Sequence, residues 1–467
     1  MHTVAVIGAG FSGTLTAVHL LREARGALQV VLVNPSGRRA RGLAYGTRSD
    51  WHVLNVPAGN MSALPDDRDH FLRYCRWRDP SVQPGDFVAR ATYGSYLDAL
   101  LTAAEQAAPP DVRLVCLADQ VLAVRPGAPG APVRLLLADA APLAVDQVVL
   151  AFGHFAPADP PLLTEAVRAS GRYLRDPWAP GALDRIAPDD PVVVLGSGLT
   201  AMDIVLALYH GERRAATLCL SRRGLQPLPH RAGLAARPAS DAGVWLPRLR
   251  AGPRAALRTL REAAAAAARR GEDWRDLLAA LRAATPSVWQ AWSDRSRAQF
   301  LRHLQAYWDV HRHRCAPPLH ERWQALQREG RVRVQAGRLA DLGVEDHALL
   351  LGWCPRGGGA RQALHAAWLI NCTGPDSRLQ RAGSALIDDL VAQGLVTPDP
   401  LGLGLLTGDD HTVVRRDGAC SAWLHYVGPL RKARDWEATA VPELREQARA
   451  VAANVLARRA VPPRVSS

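Results

Sequence analysis

Two copies of a glycine fingerprint constrain this chain more than any other feature of its sequence. The first is Gly8-Ala-Gly10-Phe-Ser-Gly13 after the apolar run 4–7, and the second is Gly196-Ser-Gly198-Leu-Thr200-Ala201 after 192–195. In such a strand–turn–helix unit the glycines allow a tight turn and a close approach of a pyrophosphate, which the helix N-terminus attracts. Two copies about a domain length apart predict two dinucleotides in one protein, with electrons passing between them.

The order of strand-like and helix-like segments predicts an α/β fold with two Rossmann-like dinucleotide-binding domains. We expect the first domain to be discontinuous, because the second domain and its own helical insertion interrupt it. The predicted ranges are 1–157 and 366–467 for the first domain, 188–365 for the second, and about 233–326 for the Ala-, Arg- and Trp-rich insertion. A chain of 467 residues is long enough for two or three domains with cores.

Composition excludes several classes of protein. The net charge of +13 rests almost wholly on arginine, because Lys432 is the only lysine. No compact basic run alternates with aromatic residues, so we expect no nucleic-acid partner. No apolar run reaches the length of a membrane span and no signal peptide precedes the first strand, so we expect a cytoplasmic protein. The seven cysteines form no Cys-x-x-Cys pair, which favours buried reduced thiols and argues against a disulfide reductase.

One stripe in the predicted insertion invites two interpretations. Phe300, Leu304, Tyr307, Trp308 and His311 are spaced as on one face of a helix, and we favour core packing over a cofactor site. The adjoining His311-Arg-His313 segment has no third metal ligand nearby in the sequence, so we expect no metal site.

The residues after the second strand of each unit distinguish the two predicted sites. Asn34 stands where an acidic residue usually binds the ribose hydroxyls, and a neutral amide can still bind a hydroxyl. Arg222 and Arg223 occupy the corresponding place in the second unit, where guanidinium groups suit a 2′-phosphate and favour NADPH over NADH. The alternative is that both arginines belong to a solvated basic turn of an arginine-rich chain.

Further segments resemble flavoproteins with two dinucleotide-binding domains, and most closely the FAD/NAD(P)-binding proteins of the YdhS type. The matching segments span nearly the whole chain and comprise 8–13, 42–47, 54–58 with 61–62 and 65–66, 93–96, 300–314, 371–375, and 436–437 with 440–443. The resemblance implies that FAD occupies the first site, with its pyrophosphate over Gly8, Gly10 and Gly13.

The same resemblance implies contacts elsewhere along the chain. Arg90 would lie near the flavin nucleotide, the backbone near Val121 would meet the adenine, and Gly428 would lie near the ribityl chain. Pro429 stands where many flavoproteins have an aspartate after that glycine. The full set of expected cofactor-binding residues is Gly8, Gly10, Gly13, Asn34, Leu54, Asn55, Met61, Arg90, Val121, Gly153, Gly196, Gly198, Thr200, Arg222, Arg223, Gly374, Gly428 and Val441.

Asn55-Val-Pro57 with Met61 has a more distant resemblance to flavin-containing monooxygenases, in which an asparagine lies near the reactive face of the flavin. That resemblance implies a catalytic role for Asn55 in shielding this face from water, and the alternative is a loop amide that satisfies backbone groups. His52 and Glu437 are the other catalytic candidates. They could lie near a flavin, as could His154, but no spacing in the sequence gives any of them a partner.

We therefore expect an FAD-dependent, NADPH-using oxidoreductase. We favour a monooxygenase that uses molecular oxygen to oxidise an amine or amino-acid nitrogen of a small molecule. The arginine-rich insertion would cap the site and suit a substrate that carries a carboxylate. The alternatives are a flavin dehydrogenase or reductase that transfers no oxygen, and an FAD-holding, redox-sensing protein that binds a partner.

Overall fold

The computed structural model describes residues 1–47, 49–128, 130–231 and 242–459. The strands within these ranges are, in chain order, β1 His2–Ile7, β2 Leu28–Val33, β3 Val112–Leu117, β4 Val121–Arg125, β5 Val133–Leu137, β6 Leu143–Val145, β7 Gln147–Leu150, β8 Tyr173–Leu174, β9 Val192–Leu195, β10 Thr217–Ser221, β11 Val332–Glu345, β12 Ala348–Pro355, β13 Gln362–Ala366, β14 Trp368–Asn371, β15 Thr412–Val414 and β16 Cys420–Tyr426.

The α-helices of the same ranges are α1 Phe11–Glu23, α2 Gly42–Tyr45, α3 His70–Arg78, α4 Arg90–Gln106, α5 Glu165–Ala169, α6 Leu199–Leu208, α7 Ala242–Arg250, α8 Pro253–Arg269, α9 Trp274–Leu281, α10 Thr285–Ala291, α11 Asp294–His303, α12 Gln305–Arg312, α13 Pro317–Arg328, α14 Ala385–Ala392 and α15 Val441–Arg459. Short 3₁₀ turns occur at Ala58–Asn60, Arg282–Ala284, Leu379–Arg381 and Pro429–Ala433. None of these helices combines the length and the hydropathy that a transmembrane helix requires.

The first sheet has the strand order β15-β16-β7-β1-β2-β3. Its central strand β1 is parallel to both β7 and β2, so the carboxyl ends of these strands meet at one edge. Because successive side chains of a strand point to opposite faces, Val4 and Val6 contribute to one core and Ala5 and Ile7 to the other. Helices α1, α4 and α15 cover the first face, and the small sheet β4–β6 with α14 covers the second.

The second sheet has the order β13-β12-β11-β10-β9-β14-β8. Here β9 lies between β10 and β14 and is parallel to both. The strand β14 falls in the range 366–467 that we assigned to the first domain, and β8 precedes the predicted start of the second domain at 188. A buried strand followed by a glycine turn has the same sequence pattern in either sheet, so the sequence alone did not assign β14. Strand β8 has only two residues, which is too short for a periodic pattern.

The helical insertion consists of α7–α12. Residues 233–241 of its predicted range lie outside the described residues. Helix α13, which the predicted range 233–326 includes in large part, packs against α6 and β11 and so belongs to the second domain. The predicted stripe from Phe300 to His311 runs over two helices rather than one, because α11 ends at His303 and α12 begins at Gln305.

The insertion is anchored to the first domain, although it departs from the second domain in sequence. The indole Nε1 of Trp289 donates to the carbonyl oxygen of Ala433 at 3.0 Å. The guanidinium of Arg282 pairs with Glu443, and its Nη2 lies 2.6 Å from Oε2. The insertion therefore bridges the two domains.

The seven cysteines are unpaired thiols. Four of them are buried, as the composition predicts, but Cys116, Cys354 and Cys420 are exposed on strands. The expectation of uniform burial is wrong at these three positions because their side chains point away from the sheet cores.

Candidate active site

The first glycine loop lies at the end of β1. Gly8 has a φ of +110°, and its N–H donates to the carbonyl oxygen of Val33 at 2.8 Å. A Cβ added to Gly13 would lie 1.9 Å from the carbonyl oxygen of Gly8, so a glycine is required for the helix to approach the strand this closely. Gly10 is the N-cap residue of α1, and within the described chain no side chain caps the first N–H groups of this helix. These N–H groups are therefore available to an anion.

Asn34 lies at the end of β2, beside this loop. Its Nδ2 donates to the hydroxyl of Ser36 and to the carbonyl oxygen of Arg38, both at 2.7 Å. The Oδ1 atom accepts no hydrogen bond from any described residue, so it remains available to a ribose hydroxyl. Val121 begins β4 and is buried at the same end of the first sheet.

Two more predicted cofactor residues lie at this edge of the sheet. Gly153 follows β7 and is exposed, and Gly428 follows β16 with a φ of +144°. A Cβ at Gly428 would lie 2.7 Å from the hydroxyl of Tyr426, which itself donates to the carbonyl oxygen of Phe152. Val441 begins α15 and is buried in the core of the first domain.

The second glycine loop repeats the geometry of the first at the end of β9. Gly196 has a φ of +117°, and a Cβ there would lie 2.3 Å from the carbonyl oxygen of Cys372. Gly198 is the N-cap residue of α6, again without a side-chain cap from the described residues, and Thr200 lies in the first turn. Gly374, with a φ of +90°, follows the neighbouring strand β14.

The two arginines after β10 have different environments. The guanidinium of Arg223 donates to the carbonyl oxygens of Arg302 and His303 at 2.9 and 3.0 Å, and it lies over the ring of Tyr307. Arg223 thus holds the C-terminal end of α11. Arg222 is exposed and makes neither an ion pair nor a hydrogen bond with the described part of the chain. Of these two arginines, Arg222 is therefore the one that presents a free guanidinium at this end of the strand.

The segment that contains Asn55 lies at the junction of the two domains. Leu54 and Met61 are buried in the first core. The backbone oxygen of Asn55 lies 2.9 Å from Nε2 of His230, a residue that follows β10 of the second domain. The carboxamide of Asn55 is half-buried and has no hydrogen-bond partner among the described residues.

His52 is buried beside this segment. Its Nδ1 lies 2.6 Å from the hydroxyl oxygen of Thr47, whereas Nε2 is buried and has no partner in the described ranges. Burial, with a smaller effect of the Arg90 charge, lowers the pKa of His52 to about 4, so the imidazole is neutral at physiological pH. A buried neutral imidazole with an unused nitrogen suits a polar contact with a bound group.

Arg90 links the two domains. Its Nη2 lies 2.6 Å from Oδ2 of Asp203 on α6, and its Nε donates to the carbonyl oxygen of Val53 at 3.1 Å. The guanidinium also lies over the ring of Trp178. The resemblance places Arg90 near the flavin nucleotide, and this contact stays a prediction, because the guanidinium is used here between the domains.

Glu437 contacts the helical insertion. Its Oε1 accepts from the indole Nε1 of Trp308 and its Oε2 pairs with Nε of Arg312, both at 2.9 Å. Burial raises the pKa of the nearby Asp309 to about 6, and the Glu437 charge adds to this effect. Glu437 therefore lies in a polar cluster with Asp309 and Lys432. The sequence analysis did not predict Asp309 or Lys432 as site residues.

Lys432 and His154 extend this polar cluster. The ammonium of Lys432 lies 4.2 Å from the ring centre of Trp436, and burial lowers its pKa. Burial and the Lys432 charge lower the pKa of His154 to about 4. His154 nevertheless keeps accessible surface. Lys432 could have been singled out, because it is the only lysine of the chain.

The structure thus sorts the predicted residues by location. Those at the edge of the first sheet are Gly8, Gly10, Gly13, Asn34, Val121, Gly153 and Gly428, those at the second are Gly196, Gly198, Thr200, Arg222, Arg223 and Gly374, and those at the junction are His52, Leu54, Asn55, Met61 and Arg90. Across the described ranges, no group of three His, Cys, Asp or Glu side chains could hold a metal ion.

Comparison with known proteins agrees with this architecture. Residues 5–155 match a family model described as FAD-NAD(P)-binding. No curated protein sequence matches the chain. An ornithine N-hydroxylase from Kutzneria sp. 744, solved with reduced FAD, NADP+ and L-ornithine, has a similar fold, with a TM-score of 0.66 and 14% identity over 98% of this chain and 100% of that chain.

Two other solved structures are similar over almost their whole length. L-lysine 6-monooxygenase from Pseudomonas syringae has a TM-score of 0.66 and 15% identity, covering 99% of this chain and 100% of that chain. Thioredoxin reductase from Lactococcus lactis has a TM-score of 0.53 and 10% identity, covering 98% and 99%. These proteins catalyse different reactions on one fold. The structural similarity therefore confirms the predicted α/β fold with two dinucleotide-binding domains, whereas the reaction has to be inferred from the residues of the site.

Proposed function

We propose that this chain is an FAD- and NADPH-dependent monooxygenase that oxidises a nitrogen of a small amine or amino acid. The observation that carries the proposal is the pair of glycine loops, each at the end of a central parallel strand. A Cβ added at Gly13 in the first loop or at Gly196 in the second would collide with backbone atoms. Each loop is followed by a helix whose first N–H groups have no side-chain cap from the described residues. The uncapped N–H groups at the start of each helix can donate to a pyrophosphate, so the two loops fit two dinucleotides. Folds similar to ornithine and lysine hydroxylases support the choice of reaction.

We assign one cofactor to each glycine loop. FAD would be held over Gly8, Gly10 and Gly13, with Oδ1 of Asn34 on a ribose hydroxyl. NADPH would be held over Gly196 and Gly198, with Arg222 as the partner of its 2′-phosphate. Bound FAD supplies the capacity to accept a hydride from NADPH and to pass electrons to oxygen.

The junction residues suit chemistry that must exclude water. Asn55 presents a carboxamide without a protein partner in the described chain, and His52 is neutral because burial lowers its pKa to about 4. Neither side chain offers an acidic proton at neutral pH. They would orient bound groups by hydrogen bonds while the buried Leu54 and Met61 keep water out.

The finer identity of the protein also belongs to this proposal. We place the chain among the YdhS-type flavoproteins, on the motif resemblance across 8–443, and we expect it in the cytoplasm. Oxygen and a small amine that carries a carboxylate would be its partners, since the insertion is rich in arginine.

Anaerobic reduction followed by product analysis tests the function. The FAD-loaded protein should lose its flavin absorbance on addition of NADPH without oxygen, and in air it should convert an offered amine to a hydroxylated product. Return of all NADPH electrons as hydrogen peroxide, with every amine offered, would instead identify a reductase or oxidase. Failure of NADPH and NADH alike to reduce the flavin would favour the redox-sensing protein.

A further inference from the structure

A large apolar cavity lies inside the helical insertion. Its volume is about 950 Å³, and no residue of either glycine loop lines it. The walls come from α7–α12 and from Trp436, and their aromatic members include Trp274, Trp289, Trp292, Phe300, Trp308 and Trp436. Small-molecule cavities are commonly about 300–1,000 Å³ and mainly apolar and aromatic. The size and the lining both match this class.

The tryptophans of the walls turn apolar faces toward the cavity. The indole N–H of Trp292 donates to the carbonyl oxygen of Leu249 at 2.9 Å. Those of Trp289 and Trp308 donate to the carbonyl oxygen of Ala433 and to Glu437. Because these three N–H groups are already satisfied by protein, the rings offer dispersion and stacking contacts rather than hydrogen bonds. A ligand would have to present an aromatic or alkyl body to them.

Helix α8 supplies one wall and a charged group at the mouth of the cavity. Leu257, Arg261, Ala264 and Ala268 line the cavity at helical spacing. Arg261 is exposed and forms no ion pair with the described residues. The other charged lining residues are paired, Arg275 with Asp273 and Glu272 with Arg270, and Arg275 also donates to a backbone carbonyl. Arg261 is therefore the cation at the mouth that an anionic group of a ligand would meet.

We propose that this cavity binds an amphipathic organic anion. An aromatic or alkyl body lies between the tryptophan rings, and a carboxylate or sulfonate contacts Arg261. The site is additional to the two dinucleotide sites, and it does not depend on the monooxygenase activity proposed above.

The proposal is tested with 8-anilino-1-naphthalenesulfonate, which has an aromatic body and one sulfonate, on the full-length FAD-loaded protein. Its fluorescence should rise saturably toward one bound probe per chain. The substitution Ala264→Trp places an indole inside the cavity and should weaken binding about tenfold or more. Ala265→Trp, on the same helix at an exposed position that does not line the cavity, should leave the affinity unchanged. If Ala264→Trp fails to fold, Ala268→Trp at the mouth takes its place.

A neutral probe separates the contribution of the ligand's charge to binding from that of its apolar body. Arg261→Ala should weaken binding of the sulfonate about tenfold but leave N-phenyl-1-naphthylamine, which lacks the sulfonate, unaffected. Arg258→Ala, at an exposed position outside the cavity, serves as the matched control and should change neither probe. Absence of saturable binding, equal effects of the two tryptophan substitutions, or equal effects of Arg261→Ala on both probes would each overturn the proposal.

Discussion

Arg90 and Asp203 form a buried ion pair across the two domains, with Nη2 and Oδ2 2.6 Å apart and side chains only 16% and 5% exposed. Burial raises the pKa of Asp203, and the Arg90 charge opposes that effect. A buried carboxylate that loses its partner costs far more than the pair contributes as a whole. The pair therefore makes the contact between the domains sensitive to single substitutions.

We expect Arg90→Ala to lower the free energy of unfolding by about 3–5 kcal/mol, because it leaves Asp203 buried without its partner. The double substitution Arg90→Met with Asp203→Leu should recover most of this loss. Denaturant unfolding of the three proteins at pH 7.5 measures the difference. Equal destabilisation of the single and double variants would show that the pair does not carry the effect.

The histidine beside Asn55 should give stability a specific pH dependence. Its pKa is about 4 in the folded protein and about 6.5 when unfolded, so the unfolded chain binds more protons between these values. The stabilisation is complete above about pH 6.5 and is lost as the pH falls toward 4, by about 2 kcal/mol between pH 7.5 and 5. The free energy of unfolding of His52→Gln should fall less than that of the natural protein over this interval. If the free energies of unfolding of the two proteins fell in parallel with pH, the lowered pKa of His52 would be contradicted.

The two arginines after β10 should have separable roles. Arg222→Ala should raise KM for NADPH about tenfold and leave KM for NADH nearly unchanged, because a charge-assisted hydrogen bond to the 2′-phosphate is lost. Arg223→Ala should lower the thermal midpoint and affect both coenzymes alike, because it releases the carbonyl oxygens of Arg302 and His303. Steady-state kinetics of both variants with NADPH and with NADH checks these two predictions. An equal response of NADPH and NADH to Arg222→Ala would mean that this residue does not contact the phosphate.

Asn55 should control what becomes of the electrons rather than how fast NADPH is used. If its carboxamide shields the flavin, Asn55→Ala should keep NADPH consumption near the natural rate and raise the share of electrons released as hydrogen peroxide. Peroxide and hydroxylated product are measured in the same reaction. Asn60→Ala, at an exposed site on the adjoining turn, is the matched control. An unchanged product yield with Asn55→Ala would assign Asn55 a structural role in the loop.

The glycine loops could be predicted because their physics is local. Gly8 and Gly196 each follow a short apolar run, and the turn, the close packing and the helix start all lie within about six residues. The same holds for the place of Asn34, which is fixed by the length of one strand–helix–strand unit. These elements needed no information from distant parts of the chain.

The remaining features depend on contacts between distant segments. Arg90 and Asp203 are 113 positions apart, and neither has a local pattern that marks it as one of a pair. The stripe from Phe300 to His311 was predicted to pack in a core. Phe300, Leu304 and Trp308 do join the cluster around Trp289. The prediction is wrong for Tyr307, which is exposed, and His311 lies outside the cluster. All five side chains line a cavity. Periodicity shows which face of a helix is apolar, and it does not show whether protein or a ligand fills the space opposite.

The anchoring of the insertion has a mechanical consequence. The insertion is continuous in sequence with the second domain, yet Trp289 and Arg282 fasten it to the first domain at Ala433 and Glu443. A hinge opening between the two domains would have to break these contacts or bend the chain where the insertion joins the second domain. These contacts therefore oppose such an opening, and we expect them to limit changes in the separation of the two glycine loops.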